Sequence, residues 1–252
     1  MTRFEIFAAL HVPGNPLILF NVWDAGSAQA AERAGALAIA TGSASVSTAH
    51  GFSDAEELPL DLALANAERV VRATSLPVSI DFEGGYSTDP AQTAANVAAL
   101  AATGAIGCNL EDQIVATHGT PGRTMHAIAD QARRIAAIVR AAPDFFLNAR
   151  TDTFLIARPD THDDAMADAA IERGKAYADA GAHGFFVPGL ADLRLLERVC
   201  SGVPLPVNFM AFPGAPDAKA VAATGVARIS HGPFPHMAAL KAFEDAARAA
   251  FA

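Results

Sequence analysis

Lysine is scarce in this sequence: its only examples, Lys175, Lys219 and Lys241, fall in segments that read as helices. A Schiff-base enzyme needs a lysine at the reacting centre, so class I aldolase chemistry is disfavoured. Cysteine is scarcer still. Cys108 and Cys200 make neither a CxxC pair nor a disulfide framework. Cys108 precedes Glu111 by three positions, which aims it at the helix layer as a small core residue and not as a nucleophile. No GxGxxG turn follows an early strand, which sets aside a doubly wound dinucleotide fold. No HxH pair is present, which disfavours the common zinc-dependent hydrolase barrels. Positive charge is in deficit, with 18 Lys and Arg against 27 Asp and Glu and a net charge of -9. Nucleic acid and anionic membranes would be repelled. MTRFEIFAAL carries Glu5 early and lacks a signal-peptide run, and no apolar stretch reaches membrane-spanning length without interruption. The expectation is a soluble, cytoplasmic protein.

The chain is rich in apolar residues: 52% are hydrophobic and 18% charged over 252 residues, enough for a large core. One unit repeats: a short β-rich apolar run, a polar turn with Gly, then an Ala-rich amphipathic helix. The runs span 17–24, 36–43, 76–83, 105–112, 144–151, 182–189, 205–212 and 226–232. Gly35, Gly104, Gly181 and Gly225 fall where helices should stop, since glycine accepts the left-handed conformation that closes them. Eight runs, each followed by a helix, predict an α/β fold, a single (β/α)8 TIM barrel forming one domain over 1–252.

Such a barrel carries its chemistry at the C-terminal strand ends. There the sequence places Asp24, Asp81, Glu83, Glu111, Asp112, Arg150 and Asp152, with His231 after the last run. Residues two apart on a strand share a face. Asp81 and Glu83 therefore join Ser79 on one side, and Val78, Ile80 and Phe82 take the other. Asn109 pairs with Glu111 in the same way, and Asn148 with Arg150 and Asp152. Carboxylates so gathered raise one another's pKa unless a cation intervenes. All-oxygen ligands suit Mg²⁺ or Mn²⁺. The alternative is that the acids simply pair with Arg150 and helix termini. Arg150 is suited to clamping a carboxylate or phosphonate, a role compatible with a salt bridge to Glu111. TGSAS, after the second run, offers backbone N–H groups for an oxyanion, although such small-residue runs are commonly plain turns.

Taken in order, FNVWDAGSAQAAERAG, TGSASVS with GFSD, DFEGGY, NLEDQ and NARTD resemble the isocitrate lyase/phosphoenolpyruvate mutase superfamily over most of the chain. The resemblance implies Mg²⁺ held directly by Asp81 and through water by Glu83 and Glu111. It implies substrate oxygens bound at Ser43, Ala44 and Ser45, a gating-loop acid at Asp54, and the substrate's acidic group on Arg150. The shared chemistry is formation or capture of a pyruvate-like enolate as a C–C or P–C bond changes. Three departures stand out. The K-[KR]-C-G-H loop of the carbon–carbon lyases is replaced by VATHGTPGRTM, so the lyase cysteine is missing and His118-Gly119 is its only remnant. Pro188 stands where phosphonopyruvate-handling members often carry a His. Glu83 replaces the commoner Asp.

His118 reads either as a replacement acid, with a pKa near neutrality, or as an exposed loop histidine. His231 reads either as a substrate contact or as a turn residue. The expectation is a Mg²⁺-dependent mutase- or hydrolase-like enzyme acting on a small carboxylate or phosphonate. The alternatives are a C–C lyase using His118 and a non-catalytic metabolite-binding barrel. The final helix, with Leu240, Phe243 and Phe251, suits packing within or between chains, so a homo-oligomer is open.

Overall fold

The computed structural model describes residues 1–115 and 124–252. Its strands are β1 Leu17–Leu19, β2 Ile39–Ala40, β3 Val78–Asp81, β4 Gly107–Glu111, β5 Gln113–Ile114, β6 Thr124–Met125, β7 Phe146–Arg150, β8 Gly184–Phe186, β9 Val207–Met210 and β10 Arg228–Ser230. Eight of them form one parallel sheet in the order β1-β10-β9-β8-β7-β4-β3-β2. An isolated parallel bridge, Val22 with Thr41, joins the two ends. There the Val22 N–H donates to the Ala40 carbonyl at 2.8 Å and the Gly42 N–H to the Val22 carbonyl at 3.2 Å. The expected TIM barrel is what forms. β5 and β6 make a separate antiparallel hairpin beyond β4.

The helices are α1 Arg3–Ala9, α2 Ala25–Arg33, α3 Ser43–Ala49, α4 Leu60–Arg72, α5 Pro90–Ala102, α6 Ile128–Ala141, α7 Asp164–Asp179, α8 Leu193–Gly202, α9 Ala218–Ala223 and α10 Phe234–Phe251. Their starts follow N-cap chemistry: Asp89, Asp163, Asp192 and Asp217 each accept a backbone N–H from their own first turn. Asp24 does the same for α2, accepting the Ser27 N–H at 2.7 Å. It is thus a cap, not one of the mouth acids. The four helix-closing glycines all have φ between 92° and 98°, as the sequence predicts.

Strand alternation splits the interior in two. The outward faces, including Val78, Ile80, Phe82, Cys108, Leu110, Leu147 and Phe185, merge with Val70, Val97, Leu100, Ile135 and Ile138 of the surrounding helices. Cys108 is fully buried there, and burial pushes its thiol pKa up. A second cluster lies inside the barrel, where Leu17, Leu19, Ala38, Ala40, Ile106 and Phe146 pack against Phe7. Phe7 belongs to α1, which closes the N-terminal end of the barrel. His11 follows it, stacked on Phe146 at 4.6 Å, with its Nδ1–H donated to the Phe7 carbonyl at 2.8 Å. Burial, with Arg228 adding to it, lowers the His11 pKa to about 3, so the ring is neutral.

The opposite terminus behaves differently. α10 buries only Pro235 and His236, the latter packed on Trp23 at 4.7 Å. Met237, Leu240, Phe243 and Phe251 are exposed. The outer face of β1 is also uncovered. Ile18, Phe20 and Leu37 line an open apolar groove of about 630 Å³ with Ala31 and Ala34.

Truncating the α1 plug tests its share of stability. Phe7→Ala should cost about 3–5 kcal/mol, read as a lower urea midpoint with an unchanged m-value.

Candidate active site

β3 delivers Asp81 to the mouth of the barrel. Its Oδ2 accepts the Ser43 N–H at 3.1 Å and the Ser43 hydroxyl at 3.0 Å. Its Oδ1 accepts the Asn109 Nδ2–H at 3.3 Å, and its own N–H donates to Thr41 Oγ1 at 3.0 Å. The carboxylate is thus oriented by neutral donors from two segments, Ser43 at the start of α3 and Asn109 of β4.

Below it lies a buried polar layer. Asn109 Oδ1 accepts from Asn148 Nδ2 at 2.8 Å and from Arg228 Nη2 at 3.2 Å. Two donors on that oxygen require the amide nitrogen to face Asp81. Arg228 is almost completely buried; its Nε–H goes to Ser230 Oγ at 3.2 Å, and among the described residues it contacts no carboxylate and its Nη1 has no partner. Burial lowers its pKa to about 10, with Asp81 opposing the drop. A guanidinium remains charged there at neutral pH and faces Asp81 through Asn109. Sequence reasoning missed Arg228, although its two-residue spacing from Ser230 signalled an inward-facing polar pair.

Arg150 ends β7. Its Nη1–H donates to Glu111 Oε2 at 2.9 Å, while its Nε and Nη2 grip both Asp152 oxygens at 2.6 and 3.0 Å. Its Cζ lies 5.9 Å from the Phe186 ring centroid. Burial works against the Arg150 charge, but Glu111 and Asp152 outweigh it and the pKa rises. Glu111 is pushed well above the usual carboxylate range by burial, with Arg150 opposing. One guanidinium thus lies among Glu111, Asp152 and Asp81.

Glu83 reaches the site by a different route from the expected one. β3 stops at Asp81, and Glu83 has φ +51°, so strand alternation does not aim its side chain. It sits in the turn that follows, buried, with Oε2 accepting the Glu56 N–H at 2.7 Å. Burial, then Asp54, raises its pKa to about 8. The turn itself is held from the helix layer by Arg134 of α6, whose Nη2 donates to the carbonyls of Gly84 and Ser87. Asp54 stands at the rim, its pKa raised by loss of water around the carboxyl and then by Asp81.

TGSAS is not a plain turn. Gly42 caps α3, and Ser43, Ala44 and Ser45 are its first residues. The Ser45 N–H is spent on the Gly42 carbonyl at 3.1 Å, and the Ser43 N–H is on Asp81. Ala44 alone of the three keeps an N–H without a protein acceptor among the described residues. A cavity of about 190 Å³ opens at this point. Ser43, Ala44, Asp54, Asp81, Asn109 and Arg150 line its polar side, and Leu155, Phe186, Met210 and Pro233 its apolar side.

Other candidates lie elsewhere. Asp112 points into the helix layer, accepting from Arg173 Nη1 at 3.0 Å, the Tyr177 hydroxyl at 2.8 Å and the Asp152 N–H at 3.0 Å. His231 is outside the cavity lining. Its Nδ1–H donates to the Leu19 carbonyl at 3.1 Å, and its N–H donates to Asn21 Oδ1 at 2.7 Å. Asn21, another residue missed in the sequence, also donates Nδ2–H to the Thr41 carbonyl at 2.8 Å and so ties the seam of the barrel together. Pro188 is buried and does not line the cavity. His118 lies outside the described residues.

Carboxylates and an arginine gathered at the C-terminal strand ends define the kind of site that TIM-barrel enzymes use. The chain belongs to the isocitrate lyase/phosphoenolpyruvate mutase superfamily: the family described as phosphoenolpyruvate phosphomutase matches residues 7–251. An uncharacterised protein of Mycobacterium tuberculosis H37Rv is 37% identical over 96% of this chain and 88% of its own length. The 2-methylisocitrate lyase of Escherichia coli K12 is 30% identical over 79% of this chain and 70% of its own. A crystal structure from Burkholderia cenocepacia J2315, provisionally named a phosphonomutase, superposes with a TM-score of 0.94, at 45% identity over 98% of both chains.

The two acids at the end of β4 should separate by role. Asp112→Ala strands the half-buried Arg173 and should cost roughly 3–5 kcal/mol of stability, seen as a depressed urea midpoint. Asp112→Asn, which can still accept from Tyr177, should lose less.

Proposed function

We propose that this protein is a Mg²⁺-dependent enzyme, with Mn²⁺ able to substitute, that forms or cleaves a C–C or P–C bond of a small 2-oxo or 2-hydroxy acid or phosphonate through a pyruvate-like enolate. The observation that carries this reading is the convergence of Asp81, Asn109, Arg150, Ser43 and Ala44 on one small cavity at the barrel mouth.

The residues fit the metal. The donors are all oxygen, and burial raises the pKa values of Glu83 and Glu111, a cost that a bound cation would relieve. Among the described residues no three His, Cys, Asp or Glu side chains stand close enough to cage an ion directly. That suits Mg²⁺, which keeps several waters and takes one or two carboxylates. Asp81 would hold it directly, and Glu83 and Glu111 through water. When bound, the ion polarises substrate oxygens and offsets the enolate charge. A phosphonopyruvate hydrolase of the same fold has been crystallised with oxalate and Mg²⁺.

The chain's own groups supply the rest. Arg150 is held by Glu111 and Asp152 on one side, which fixes its plane for binding an acidic group. The Ala44 N–H is available to a substrate oxygen, and Ser43 can turn its donors from Asp81 to substrate. Asp54, with its raised pKa, is placed to carry a proton at the rim. Neither cysteine stands at the mouth to serve as the lyase acid: Cys108 is buried in the core and Cys200 lies in α8. This favours the mutase or hydrolase side of the superfamily. The likeness to 2-methylisocitrate lyase supports a second reading, a C–C lyase in which His118 acts as the acid.

Calorimetry with Mg²⁺ and oxalate, an enolate mimic, tests the metal site. The wild type should bind both, and Asp81→Asn should weaken Mg²⁺ at least about 100-fold; equal binding by the two proteins would end the reading. Oxaloacetate, phosphonopyruvate and methylisocitrate should then be screened for pyruvate release. Methylisocitrate turnover abolished by His118→Ala would favour the lyase reading, and turnover that survives would remove His118 as the acid.

The uncovered groove along β1 and the exposed apolar face of α10 are complementary in character, and one chain presents both. We propose that a second copy covers them, giving a homo-oligomer. Light scattering should show at least a dimer, and Leu240→Asp with Phe243→Asp should shift it to monomer.

A further inference from the structure

Two acid-bearing segments meet beside the cavity: 53–57, whose Asp54 lines it, and the turn 82–87, whose Glu83 lies close to Asp54. Glu56 fastens one to the other in both directions. Its N–H donates to Glu83 Oε2 at 2.7 Å. Its own Oε1 accepts the Tyr86 N–H at 2.7 Å. The fit is close, since a Cβ added at Gly84 would stand 3.0 Å from that same Oε1.

The backbone is distorted to make this contact. Among the described residues the non-glycine positions with positive φ are Ala55, Glu56, Glu83 and Tyr86, at 77°, 57°, 51° and 58°. All four lie on the two joined segments and nowhere else. L-residues seldom hold that conformation unless their surroundings impose it. Here the imposing contacts are on the page. Arg134 holds the carbonyls of Gly84 and Ser87 from below, and Glu56 holds Glu83 and Tyr86 from above.

We propose that Glu56 is a positioning residue that couples the metal-binding turn to the segment bearing Asp54. With one oxygen of Glu83 fixed by the Glu56 N–H, the other is left for the metal's water shell. With Tyr86 fixed by the Glu56 carboxylate, the turn cannot shift without drawing Asp54 along. Metal arrival at the turn and placement of the acid at the rim become one event. This rests on the metal reading of the site.

The experiment pairs amide hydrogen exchange with calorimetry on Glu56→Ala and Glu56→Gln. The glutamine keeps an oxygen acceptor for the Tyr86 N–H; the alanine does not. In Glu56→Ala, exchange at Tyr86 and over 53–57 should speed up about tenfold or more. The Mg²⁺ dissociation constant with oxalate present should rise about fivefold to tenfold, and Glu56→Gln should stay near wild type in both. Added Mg²⁺ should slow exchange over 53–57 in the wild type and not in Glu56→Ala. Unchanged exchange in Glu56→Ala would overturn the clasp. Faster exchange with unchanged Mg²⁺ affinity would overturn the coupling. A wild type that binds no Mg²⁺ would overturn the metal reading and with it the coupling, while the exchange data would still decide whether the clasp exists. If Glu56→Ala fails to fold, Glu56→Asp, one methylene shorter, gives the same contrast.

Discussion

One guanidinium, that of Arg150, is shared by more carboxylates than it can neutralise. Glu111 and Asp152 take its Nη1, Nε and Nη2 donors, and Asp81 lies near enough to add to its field. Charged groups withdrawn from water persist only when paired or hydrogen-bonded. The rest of the mouth is arranged around that constraint. Asp81 is held by Ser43 and Asn109, Glu83 by a backbone N–H, and Asp112 is turned outward to Arg173 and Tyr177. Each acid has donors of its own, yet the pKa values of Glu83, Glu111 and Asp54 remain raised. Loss of water around these carboxyls is the main cause.

The barrel interior is graded to suit. At the N-terminal end α1 seals an apolar plug around Phe7 and Phe146. Above it runs a polar layer of Arg228, Asn109, Asn148, Asn208 and Ser230. The acids lie above that. Arg228 is the step between the two regimes. Among the described residues it has no carboxylate to pair with, and its charge is transmitted to Asp81 through Asn109, the amide that both touch. Replacing this layer with apolar side chains would leave Asp81 oriented from the rim alone.

The fold was legible because alternation along strands and glycine at helix ends are local signals. Val78, Ile80 and Phe82 read as outward-facing and are buried among the helices; Gly35, Gly104, Gly181 and Gly225 close helices as expected. α1 escaped notice because it is short and its value lies in plugging a barrel that no local pattern reveals. α3 escaped because the Ser, Val and Thr between its alanines weaken the helix signal. Its helix follows from the Gly42 cap and from burying Ser43, Ser45 and Ser47 against the barrel. The acid positions were legible, but the argument for Glu83 was not the right one. Period two ends at Asp81, and a left-handed turn, pinned by Glu56 and Arg134, brings Glu83 in. Contacts between segments 27 or more residues apart leave no spacing to read.

Under the proposed function, the same division separates the enolate end of the reaction from the bond that changes. The groups that face an oxyanion and an acid (Asp81, Arg150, Ala44) stand on strand ends and a helix start, where the barrel fixes them. The wall opposite is apolar: Leu155, Phe186, Met210 and Pro233 offer no proton and no charge to a departing group. Under that reading, the proton for a leaving fragment comes from the rim, where Asp54 stands. The rim segment with Asp54 is tied to the turn that carries Glu83, so the same contacts that hold Glu83 also place Asp54. Under the proposed function, bond choice is then a property of the loops, and oxyanion stabilisation a property of the barrel.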